Sequence, residues 1–178
     1  MQMFVLDRNP VDAANALCDA HIRVIGREVS MCLSAWYARC YWTHADELPY
    51  KPFNHPVVWQ FDNPYTRMWA MCYAKNIFRA FHRRFGKWHA STTKLECVEH
   101  FLRLYDDQVN ALWTPEDIYN NATFSFIEKG ASVIPGLSID DAVRRYRAYY
   151  QYKTQTMRVP VIWTATTRPW WLETERTE

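Results

Sequence analysis

The sequence predicts an all-α fold: a compact, single-domain helical bundle with long aromatic and Pro-containing loops. Two observations carry that prediction. Asn9-Pro10 and Asn63-Pro64 each open a long stretch whose apolar residues recur at spacings of three and four. Asn is a strong N-cap, and Pro suits the first helical position because its missing N–H would be unpaired there anyway. Glycine is scarce, with four in 178 residues, against nine prolines and 16% aromatic residues. That balance favours helices joined by Pro-containing loops, with aromatic rings serving as both core and contact surface.

The first helix is predicted to run from Asn9 to Tyr41. Before it lies a short apolar lead-in, residues 3–6, which reads as a brief strand or an extended segment packed on the bundle. Ala13, Ala14, Leu17, Cys18, His21, Ile25, Glu28, Cys32 and Ala35 share one broad face of that helix. Residues 43–56 hold three prolines and are expected to form a loop. A second helix is predicted from Asn63 to about Phe85, stopping at Gly86. A third spans Ser91 to Tyr105, with Leu95, Val98, Phe101 and Leu102 inward. Residues 106–136 are expected to be irregular, with turn signals at Trp113-Thr114-Pro115, Asn120-Asn121 and Pro135-Gly136. Ser138, with Asp141 three residues on, starts a fourth helix to about Lys153, and residues 172–178 are expected to fray.

Composition narrows the function. A net charge of only +2 excludes a global polycation, so any nucleic-acid site must come from local clustering. The five cysteines form no CxxC pair and read as small hydrophobes of a reducing cytosol; no disulfide scaffold, metal site or cofactor is expected. No signal pattern opens the chain and no apolar run approaches spanning length. The expectation is a cytoplasmic protein without a membrane partner, in the host cytoplasm if it is phage-encoded.

His21 and Glu28 interrupt the apolar stripe of the first helix, seven residues apart and nearly stacked. A carboxylate there is costly to desolvate unless something compensates it, and such residues are often the working ones. The competing reading is a flank where Glu28 reaches water and a core position where His21 is satisfied. Asp19, Arg23 and Arg27 follow one another at spacings of four on the neighbouring face. Gly26 is a poor helix former that leaves room for a ligand or for another backbone. Farther along, Arg79, His82, Arg83, Arg84, Lys87 and His89 place six basic or potentially basic side chains within eleven residues, interleaved with Phe81, Phe85 and Trp88. Cations at a helix C-terminus are favoured by the macrodipole alone. The same composition also makes a phosphate-gripping, base-stacking patch.

Asp19-x-His21, five residues, then Arg27-Glu28-Val29 resembles the catalytic helix of the phage pyrimidine-dimer DNA glycosylase/AP lyases of the endonuclease V type. That family carries Asp-x-His, five residues, then Arg-Glu-Leu near its N-terminus. His55 with the aromatic run after it, Arg83-Arg84-Phe85-Gly86, Tyr149-Tyr150 and Trp170-Trp171 add weaker agreement. Phe4-Val5-Leu6-Asp7 with Pro10, Ala13 and Ala14 is similar to a group of phage proteins that carry the same label. The resemblance implies an all-helical single domain with Glu28 as the catalytic carboxylate, and with Arg27 and His21 binding phosphate or orienting the lesion. Together with the basic cluster it points to double-stranded DNA with a flipped base, contacted by Arg23, His55, Arg79, Arg83, Arg84, Lys87, Trp88 and His89. Oligomeric state is left open.

In the family the α-amino group of an N-terminal threonine attacks the sugar C1′, expels the base and forms a Schiff base, which Glu helps convert to strand cleavage by β-elimination. This chain departs there. Gln2 is a large second residue that leaves the initiator methionine in place, so the corresponding amine is that of Met1, with Lys87 the next to consider. An α-amino group titrates near 8 and can serve as such a nucleophile. Two further readings stay open. Glu28 and His21 can be the acid/base pair of an enzyme that modifies a hydroxymethyl-pyrimidine in DNA. Alternatively, the chain is a non-catalytic phage protein that binds nucleic acid or a host protein, with Glu28 a structural partner of Arg27 or Arg23.

Overall fold

The structure, a computed structural model, describes residues 3–127 and 132–172. Helix makes up 64% of it and strand 7%, so the all-α prediction holds for the bulk of the chain and fails at one hairpin. In chain order the elements are α1 (Pro10–Ala16), α2 (Asp19–Ile22), α3 (Ile25–Cys40), α4 (Pro56–Trp59), α5 (Pro64–Phe85), α6 (Thr92–Tyr105), α7 (Pro115–Asn121), β1 (Thr123–Ile127), β2 (Val133–Ser138) and α8 (Ile139–Thr156). Short 3₁₀ turns at Trp42–Glu47, Gln60–Asp62, Asp107–Asn110 and Trp170–Leu172 join or end them.

α5 is the axis. Asn63 caps it by accepting from the amides of Tyr65 and Thr66, and Gly86, at φ 67°, closes it in the left-handed conformation that suits glycine. α3 runs antiparallel beside it. Near the start of α3, Gly26 lies against Ile77 and Phe78 of α5, so close that a Cβ there would sit 2.7 Å from Phe78 Cε1. Near its end, the Arg67 guanidinium of α5 lies over the Trp36 ring at 4.1 Å. Gly26 therefore serves a helix–helix approach, and the room it leaves is filled by side chains. Arg67 also forms a buried ion pair with Asp106 at 2.9 Å.

The predicted helix from Asn9 to Tyr41 is corrected to three helices. Its backbone groups around residues 15–19 are claimed by distant partners. Arg84 donates to the carbonyls of Asn15 and Leu17, and Trp163 to that of Ala16. The Cys18 amide donates to the Tyr150 hydroxyl, and the Asp19 amide to the Ile162 carbonyl. These bonds replace the local ladder, and Leu17 and Cys18 turn extended. The inward face survives the break: all eight of its residues other than Glu28 are buried. Residues 3–6 belong to no helix or strand and are fully inside, their carbonyls met by side chains: Tyr73 donates to that of Phe4 and Arg147 to that of Leu6.

The stretch 106–136, expected to be irregular, contains α7 and most of the hairpin. β1 and β2 pair antiparallel, Phe124 facing Leu137 and Phe126 facing Ile134, so β2 carries one extra residue at Pro135-Gly136. Gly136 takes φ 72° there. The other edge of β1 is closed by side chains. Thr66 accepts from the Thr123 amide, Gln60 accepts from the Ser125 amide, and Tyr146 donates to the Ser125 carbonyl. The expected loop 43–56 holds a 3₁₀ turn, and His55 then caps α4. One buried cluster runs from Met3 to Leu172. Among the described residues, no helix is long and apolar enough to cross a membrane.

Candidate functional site

The α2–α3 corner, the C-terminal end of α5 and the start of α6 meet at one end of the molecule. His89 ties them: its Nδ1 accepts from the Ser91 amide and its Nε2 donates to the Arg23 carbonyl at 3.0 Å. Its ring stacks on Phe78. The Arg23 guanidinium lies 4.4 Å over the Phe85 ring, Arg83 donates to the Asn15 side chain at 2.7 Å, and Trp88 stacks on His82 at 4.4 Å and 6°. Arg23, Arg27, Arg79, Arg83, Lys87 and Trp88 are all exposed. Of the basic cluster read from the sequence, Arg79, Arg83 and Lys87 are exposed, with the Trp88 indole among them, while His82 and His89 are half-buried.

Glu28 sits on the first turn of α3, half-buried, next to exposed Arg27. Arg27 is also close enough to Tyr50 to act on its hydroxyl, whose pKa burial raises and Ser91 and Arg27 partly restore. Lys94 caps the Tyr50 ring at 4.9 Å. Tyr50 and Lys94 were not singled out from the sequence, because they join this end only through the fold. Among the described residues the Glu28 carboxylate makes no hydrogen bond or ion pair.

Asp19 and His21 of the motif are engaged by the fold itself. His21 is buried against Phe4 and Tyr150. Tyr150 accepts from the Cys18 amide and its hydroxyl is hydrogen-bonded to His21 Nδ1 at 2.9 Å, with Cys18 Sγ 3.4 Å from the same nitrogen. Burial, helped by Lys153, lowers the imidazole to about 4, so it is neutral near pH 7 and bonded inward. The stacking of His21 with Glu28 expected on one straight helix is lost at the corner around Arg23 and Val24.

Arg84 is corrected from a DNA contact to an internal staple. Its side chain is 2% exposed and bonds Asp19 at 3.1 Å besides the two carbonyls of α1. Burial would raise the Asp19 carboxyl, but the Thr164 hydroxyl and amide and the Arg84 guanidinium outweigh it and hold it below its usual value. The Thr164 hydroxyl reaches it at 2.6 Å. His55 is half-buried and accepts from the Val57 amide as the cap of α4. The amine of Met1 lies outside the described residues. Among those described, no cluster of His, Cys, Asp or Glu could hold a metal ion. Compared with known proteins, the chain matches no family profile, no curated protein and no solved structure.

Proposed function

We propose that this chain acts on double-stranded DNA: the cations around the α5 end hold the phosphates, and the Glu28 carboxylate works on a flipped nucleotide in N-glycosidic bond cleavage. One observation carries the reading. Within a motif whose His21 is sealed and whose Asp19 is tied to Arg84 and Thr164, the Glu28 carboxylate is half-exposed and makes no hydrogen bond or ion pair among the described residues, beside exposed Arg27 and the cationic surface. A carboxylate so placed can exchange protons with a bound substrate. The parallel is with the pyrimidine-dimer glycosylase/AP lyases that the sequence around Glu28 resembles.

Borohydride trapping on duplex DNA with an abasic site tests the lyase chemistry. A covalent protein–DNA adduct is expected, formed through an amine of this chain; DNA cleavage without any adduct contradicts the Schiff-base route. The sealing of His21 favours a second reading, a DNA-binding protein without turnover, because it removes one member of an acid/base pair. DNA binding with neither adduct nor product on dimer, abasic-site or hydroxymethyl-pyrimidine duplexes would establish that reading instead.

A further inference from the structure

At the opposite end of α5, whose 22 residues put it about 30 Å from the basic surface, a cleft of about 500 Å³ opens between α4 and the hairpin. Trp59, Gln60, Ser125, Val133, Pro135 and Gly136 line it. The volume is that of a small-molecule site. Trp59 is 55% exposed and offers an indole face. Opposite stands the bulged strand β2, which Pro135 and Gly136 bend.

Gln60 supplies the second observation. It is 8% exposed, and its Oε1 accepts from the Ser125 amide at 3.0 Å. That bond fixes the amide's orientation and leaves Nε2 as the other end. Nε2 is sealed from solvent and has no partner among the described residues. A buried donor without an acceptor bears the full desolvation cost of an unmade bond, so an acceptor entering from the cleft is favoured.

We propose that this cleft binds a planar heterocycle bearing a ring carbonyl, of the kind presented by a pyrimidine base. The ring lies on Trp59, and its carbonyl, pressing in beside Gln60, displaces the cover over Nε2 and accepts from it. An aromatic platform with one convergent donor reads a ring and its carbonyl together. The site is separate from the basic end and does not depend on its role.

Equilibrium dialysis of the full chain with labelled uridine tests it, alongside the Gln60 side-chain amide resonance in nitrogen-edited NMR. Uridine is expected to bind and shift that resonance. Purine riboside, which has no carbonyl, should bind about tenfold more weakly, the worth of one hydrogen bond. Gln60→Glu keeps an oxygen for the Ser125 amide but removes the donor, and should weaken uridine about tenfold. Trp59→Ala, at an exposed position, should do the same and serves as the test if Gln60→Glu does not fold. Trp170→Ala and Arg103→Ala, neither in the cleft lining, should leave uridine binding unchanged. Competition by a short thymidine oligonucleotide would assign the ring to a nucleic-acid strand; uridine binding without such competition would assign it to a free nucleoside or base. No uridine binding, equal binding of purine riboside, or binding indifferent to both cleft variants would overturn the proposal.

Discussion

Burial holds the His21 imidazole at about 4, against 6.5 for the unperturbed group, so as pH falls the unfolded chain takes up the proton first. A base whose folded value is depressed contributes stability that is complete above about pH 6.5 and is lost as pH drops toward 4. The gap corresponds to about 3 kcal/mol. Urea unfolding between pH 4.5 and 7 should show that loss in the native chain. It should be largely absent in His21→Gln, whose side-chain oxygen can still accept from Tyr150. An equal pH dependence in both proteins would show that His21 is not the group responsible. The same residue shows why the motif could be recognised in the sequence while its chemistry could not. Periodicity put His21 on the inward face correctly, but only the fold brings Phe4 and Tyr150, more than a hundred residues apart, onto its ring.

At the scale of elements, what could be read from the sequence was local. The caps at Asn9 and Asn63, the stop at Gly86 and the inward face of α6 follow from side chains a few residues apart, and the structure carries them as expected. The break at Leu17-Cys18 could not be read, because tertiary donors and acceptors from α5, α8 and the segment around Trp163 make it, and after Ile22 the Arg23 carbonyl is taken by His89. The hairpin was legible in principle: Thr123-Phe124-Ser125-Phe126-Ile127 alternates polar and apolar, the period of a strand. Arg84 looked like surface charge by composition and proved to be the staple between α5 and α1. Arg84→Ala removes one member of a buried pair and leaves Asp19 and two carbonyls short of a donor, so it should cost about 3 kcal/mol or more in urea unfolding. A neutral result would mean that solvent replaces those bonds. Gly26→Ala should cost about 1–3 kcal/mol in the same assay, because its methyl meets Phe78 at a distance real side chains do not tolerate. An unchanged or raised stability would show that α3 and α5 separate easily.

Across the whole molecule, a net charge of only +2 is distributed unevenly, with Arg23, Arg27, Arg83, Lys87 and Lys94 gathered at one end. Elsewhere several cations are matched locally, as in Arg8 with Asp140, Arg103 with Glu99 and Arg147 with Asp7. If the unmatched end meets duplex DNA, log affinity should fall with log salt at a slope of about −0.9 per phosphate engaged. Arg23→Ala with Arg83→Ala should flatten that slope, while Arg103→Ala should not; equal slopes in all three proteins would remove the basic end from the interface. Glu28, next to Arg27 on the first turn of α3, is the carboxylate proposed to act there. Glu28→Gln keeps the side chain's shape and removes its charge and proton transfer, and it is half-exposed, so the fold should stand. The direct measurement is turnover of this variant and the native chain on duplex DNA carrying a pyrimidine dimer or an abasic site, with affinity measured in parallel. A loss of about 10²–10⁴-fold in rate at unchanged affinity is the predicted result; a Glu28→Gln protein that turns over as fast as the native chain would contradict the account.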